Sequence, residues 1–69
     1  MIDTEFITYC LEEYKAVKGM TGKEVYTLFK KYDIIDYINT SYGALHTMGG
    51  FAIAEDIDLL IADIEGSRH

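Results

Sequence analysis

The chain has 69 residues, 49% of them hydrophobic and 26% charged. That is enough apolar content to fold and too few residues to give two units a core each, so one domain over 1–65 is expected, with 66–69 as a frayed tail. A net charge of -6 disfavours nucleic acid, whose phosphates demand clustered Lys and Arg, and a single cysteine, Cys10, excludes an internal disulfide.

Four helix-length segments follow in chain order, because proline is absent and glycines at 19, 22, 49 and 50 divide the sequence. The first runs from about Thr4 to Lys18, with Asp3 as its cap and Gly19 just past its end. Phe6, Ile7, Cys10, Leu11, Tyr14 and Val17 form its apolar face, opposite Thr4, Glu5, Thr8, Glu12 and Lys15. The second opens on Thr21-Gly22-Lys23-Glu24, a capping box, with Met20 and Val25 placed as a hydrophobic staple. Its buried stripe is Val25, Leu28, Phe29 and Tyr32, and it ends near Tyr32.

Either Asp33 or Asp36 could cap the third helix. One of its faces carries Ile34, Ile35, Ile38, Tyr42, Leu45 and His46, and the other Asn39, Thr40, Gly43 and Thr47. No charged side chain occurs from Tyr37 to Ala54, which suggests a central helix or one that meets another molecule. Gly49-Gly50 reads as a break before a fourth helix from about Ala54 to Ile64. There Ile53, Ile57, Leu60, Ile61 and Ile64 share a face, while Leu59 falls on the opposite side among Glu55, Asp56, Ala62 and Asp63. The expected fold is all-α, a compact bundle of about four short helices. Charge is uneven: residues 1–32 hold five acids and five lysines, whereas residues 33–69 hold seven acids and one arginine.

Four blocks occur in order: Glu5-Phe6-Ile7 with Tyr9-Cys10-Leu11-Glu12, Gly22-Lys23-Glu24-Val25-Tyr26 with Leu28-Phe29-Lys30-Lys31-Tyr32, Ala44-Leu45-His46-Thr47, and Glu55-Asp56-Ile57-Asp58. In these the chain resembles the Domain of Unknown Function 3791 family of small bacterial proteins. The resemblance implies a gut-associated bacterial origin. It also implies an accessory or neutralising, antitoxin-like role beside neighbouring gene products, some of them resembling ADP-ribosyltransferase-type toxins. Gly50 and Phe51 depart from it, standing where such proteins tend to be more polar.

No catalytic constellation emerges. Tyr42 and His46 stand four apart and could handle a proton, but no acid lies a turn away to orient the imidazole, so a histidine at the core edge, bonded to a tyrosine, is expected. Cys10 lies mid-face, where a thiol acts as a small hydrophobe. No zinc site is expected, since the other soft ligands are only His46 and His69. Glu55, Asp56, Asp58, Asp63 and Glu65 ride a helix rather than the irregular loop that calcium needs, and read as a solvated face. Of six tyrosines, Tyr14, Tyr26, Tyr32 and Tyr42 are expected in or beside the core, and Tyr9 and Tyr37 at the surface.

Neither enzyme activity nor a cofactor or metal is therefore expected. The acidic start, Asp3 and Glu5, is unlike a secretory signal, and no long apolar run follows, so a cytoplasmic protein without membrane association is expected. The reading that fits best is a protein–protein interaction module binding another protein or itself as a homodimer. Its contact residues would be Leu59, Glu55, Asp56, Asp63, Tyr37 and Thr40. The alternative is a nucleic-acid-binding regulator using Lys15, Lys18, Lys23, Lys30 and Lys31 about the second helix.

Overall fold

The computed structural model describes residues 4–67. Within them α1 spans Thr4–Lys18, and its Cys10 and Tyr14 are buried, with Phe6, Ile7 and Leu11 packed partly against the same core. Val17, at the last turn, stays 39% exposed. Gly19 closes the helix in the left-handed region at φ 65, and the Met20 N–H donates back to the Lys15 carbonyl at 3.1 Å. A side chain would strain that backbone, which glycine adopts freely. Asp3 lies outside the described residues.

The capping box expected at Thr21 opens α2, Gly22–Lys31. The Glu24 N–H donates to the Thr21 hydroxyl at 3.1 Å, and the Thr21 N–H to the Glu24 carboxylate at 2.9 Å. Two amides that the helix itself cannot satisfy are thereby paired. Val25 and Phe29 are fully buried, and Met20 and Leu28 pack partly against the same core. Tyr26 corrects the expectation: it is 51% exposed, because it follows buried Val25 by a 100° step that turns it outward.

Tyr32 ends α2, and Asp33 then turns the chain at φ 54 into α3, Ile34–Thr40. Asp33 holds the cap position without a side-chain capping bond, since a cap reaches the following amides from extended backbone. Asp36 lies in the first turn.

The third expected helix is two. Ser41, at φ -98 and ψ 17, ends α3 by donating its N–H to the Tyr37 carbonyl at 2.8 Å. It starts α4, Tyr42–Leu45, by accepting from Leu45 at 2.9 Å. The break changes which side chains face inward. Ile34, Ile38 and Leu45 are buried, but Tyr42 is 41% exposed and His46 is exposed, although simple periodicity put all five on one face.

The last helix, α5, spans Gly50–Gly66 and so begins four residues before the expected start. Gly49 is its extended N-cap, and the Ile53 N–H closes the first turn on the Gly49 carbonyl at 2.9 Å. Gly50 serves a close approach rather than a break. A Cβ there would lie 2.5 Å from the Glu13 carboxyl carbon, so the missing side chain lets that carboxylate sit beside the positive end of α5. At the other end α5 runs to Gly66, and Ser67 caps it, donating its N–H and its hydroxyl to the Asp63 carbonyl; Arg68 and His69, the rest of the expected tail, lie outside the described residues.

Among the described residues there is no strand. The longest helices, α1 and α5, pack on each other most extensively, while α2 and α3 close the other side of a core built on Phe29, Ile34, Ile38, Leu45, Ile53 and Ile57. Tyr14 meets Phe29 edge to face, ring centres 5.4 Å apart. The radius of gyration, 11.3 Å, matches the roughly 11 Å of a compact chain this long.

Candidate interaction surface

The acids of α5 divide into two groups by what they touch. Asp58 accepts from the Tyr14 hydroxyl of α1 at 2.5 Å and from the Lys18 ammonium at 2.7 Å. Asp56 accepts from the Tyr37 hydroxyl of α3, and Glu65 from the Tyr32 hydroxyl at the end of α2. Three tyrosines from three other segments thus reach the flanks of one helix. These carboxylates lie roughly a quarter-turn to either side of the outermost line of α5, at the rim of the packed face.

The rim shifts the acidities of the groups involved. Burial raises the Tyr14 hydroxyl far above its ordinary value, and its bond to Asp58 adds to the effect. The Asp56 bond, with burial second, raises Tyr37. Burial pushes the Asp58 carboxyl upward, but the Lys18 and Tyr14 bonds together outweigh it and hold the group below its ordinary range.

This arrangement corrects the expectation of one solvated acidic face. Asp56 is half-buried and engaged, and Tyr37, expected at the surface, is half-buried against it. Thr40 is exposed at the end of α3. The remaining acids, Glu55 and Asp63, are exposed, and among the described residues their carboxylates have no hydrogen bond or ion pair. Leu59 stands midway between them, 70% exposed, as its position on the helix requires.

Phe51, two turns before Leu59 and about 80° round the helix from it, is also 66% exposed. Reading Gly49-Gly50 as a break placed it before the helix. Its spacing of four residues from Glu55 and eight from Leu59 would have revealed it had the helix been carried back to Gly50. With Ala62, these residues form an outward ridge: Phe51, Glu55, Leu59, Ala62 and Asp63.

The other candidates have internal explanations. The His46 Nδ1–H donates to the Tyr42 backbone carbonyl at 2.8 Å, and the two rings stack at 4.8 Å, so the histidine is exposed and bonded to the backbone rather than to a tyrosine hydroxyl at the core edge. Tyr42 in turn meets Phe6, and Phe6 meets Tyr9, which is exposed as expected. Cys10 is fully buried, and burial, with Glu13 second, pushes its thiol up to about 11.

The lysines differ among themselves. Lys18 pairs with Asp58 and Lys15 with Glu12, whereas Lys23 and Lys30 are exposed on the outer side of α2. The Lys30 ammonium lies 5.7 Å from the centre of the Tyr26 ring.

Among the described residues no pocket forms, and no three of His, Cys, Asp and Glu gather as a metal site would require. No helix is long and apolar enough to cross a membrane. No curated protein and no solved structure matches the chain. Residues 5–63 match the model of the family described as "Protein of unknown function (DUF3791)", and the chain, all-helical and matched over most of its length, belongs to that family.

Proposed function

We propose that the protein is a non-enzymatic interaction module, bacterial and cytoplasmic, that binds another protein or a copy of itself through the outward ridge of α5. The observation that carries this reading is Leu59, 70% exposed between two carboxylates that have no partner among the described residues, on a helix whose other acids are all engaged. Exposing such a side chain forgoes about 1.5 to 3 kcal/mol of burial, which association would recover. Phe51, two turns earlier on the same helix and 66% exposed, supplies a second apolar side chain. An accessory, antitoxin-like role toward a neighbouring gene product is one setting in which such a ridge would act.

Catalysis has no part in this reading. Cys10 is buried, and His46 spends one ring nitrogen on the backbone without an acid to orient it. A nucleic-acid role finds less support, because Lys15 and Lys18 are already paired with acids. The test is Leu59→Ser, with folding checked by circular dichroism. Co-purification with the flanking gene product, or mass in solution where the partner is a copy, should fall with helicity unchanged. If both are unchanged, the ridge is not the binding face.

A further inference from the structure

Glu55, Leu59 and Asp63 follow one another at four-residue steps, so two carboxylates stand about 12 Å apart with an apolar side chain midway. A second copy laying the same ridge against this one would bring like charges together. Antiparallel pairing about Leu59 sets Glu55 against Asp63 twice, and parallel pairing sets each acid against itself. Ridge-to-ridge association is therefore disfavoured, and the net charge of -6 adds to the repulsion.

The outer side of α2 carries the complementary pattern. Lys23, Tyr26, Thr27 and Lys30 are all exposed and recur at helical spacing, so they form one strip. Tyr26 is 51% exposed and stands between two ammonium groups about 10 Å apart. The described residues give Lys23 no carboxylate partner, and Lys30 only the Tyr26 ring. An apolar side chain between two anions on α5 thus has its counterpart in an aromatic ring between two cations on α2. Lysine stems are long enough to absorb the difference in spacing.

We infer that the ridge of α5 is occupied by the α2 strip of a second copy of this chain, Leu59 packing on Tyr26 while Glu55 and Asp63 meet Lys23 and Lys30. This rests on the interaction reading above and names its partner. Neither strip can pair with itself, so the contact joins unlike surfaces, and copies associate either reciprocally in pairs or head to tail. Charge sets the register, and the two exposed apolar side chains supply the buried centre.

The experiment is a charge exchange read by sedimentation equilibrium. Wild type should associate with rising concentration, and less so at about 0.5 M salt than at about 0.05 M. Glu55→Lys with Asp63→Lys, and separately Lys23→Glu with Lys30→Glu, should each weaken association at least about tenfold. An equal mixture of the two double variants should recover it, because each then presents the complement of the other. All four positions are exposed, so both variants should fold, which circular dichroism checks. A wild type that remains a single chain throughout, double variants that associate as wild type does, or a mixture that fails to recover would each overturn the inference. A monomeric wild type whose capture of another protein still depends on Leu59 would overturn the second-copy assignment alone and leave the interaction reading standing.

Discussion

The Tyr14 hydroxyl donates to the Asp58 carboxylate at 2.5 Å, joining the buried face of α1 to the rim of α5. The ring of Tyr14 is core, packed on Phe29, while its oxygen lies where the core meets solvent. One side chain therefore contributes to both packing and docking. Tyr14→Phe keeps the packing and removes the donor, and should cost about 1 to 2 kcal/mol in urea unfolding. Lys18→Met should cost less than about 1 kcal/mol, since that partner is well exposed and screened. If the two substitutions combined destabilise by the sum of the single losses, the three groups do not act as a network.

Stability should fall at both ends of the pH range, for different groups. Asp58 is held below its ordinary 3.8, so its contribution is present above about pH 4 and is lost as pH falls through the depressed folded value. Cys10 and Tyr14 are raised from 9.0 and 10.0, so the folded chain keeps protons that the unfolded chain releases. Their contribution is intact below about pH 9 and is lost progressively above it. Urea midpoints measured from about pH 3 to 11 should show this, and Tyr14→Phe should flatten the alkaline limb. An alkaline limb unchanged in that variant would remove Tyr14 as its cause.

Cys10 should be silent toward thiol reagents while the chain is folded. Its side chain is fully buried and its thiol is raised to about 11, so the reactive thiolate is scarce as well as covered. Labelling by a maleimide at pH 7 should be slower than for the urea-unfolded chain by at least about a hundredfold, set by the fraction of time the core opens. Equal rates in the two states would show that the core around Cys10 does not exclude solvent.

Thr21→Ala should destabilise the protein by about 1 kcal/mol, the usual loss when an N-cap side chain is removed. The Glu24 carboxyl is lowered by its bonds from Thr21, backbone first, so its part of the box is present above its ordinary 4.5 and lost as pH falls through the lowered value. Because alanine at 21 keeps the backbone N–H that is the larger cause, thermal midpoints of wild type and Thr21→Ala should fall nearly in parallel toward acid. Equal midpoints at neutral pH would mean that α2 is held by packing alone.

Local signals were legible wherever they depended on neighbours in sequence. Gly19, Thr21 with Glu24, the Val25–Phe29 stripe and the exposure of Leu59 all follow from backbone chemistry and the 100° step, which need only a few consecutive residues. The break at Ser41 was not legible, because nothing in its type forbids a helix. The start of α5 is not legible because a glycine pair can end a helix or open one, and only the fold shows Gly49 as the N-cap and the Glu13 carboxylate of α1 lying against Gly50.

The same division holds at the surface. The sequence by itself determined that α5 carries acids around an outward leucine, since that is a matter of helical spacing. Which acids remain available was decided by tertiary structure alone. The hydroxyls of Tyr14, Tyr32 and Tyr37 come from segments far away in the chain, and only folding brings them to Asp58, Glu65 and Asp56 while leaving Glu55 and Asp63 beside Leu59 without a partner among the described residues.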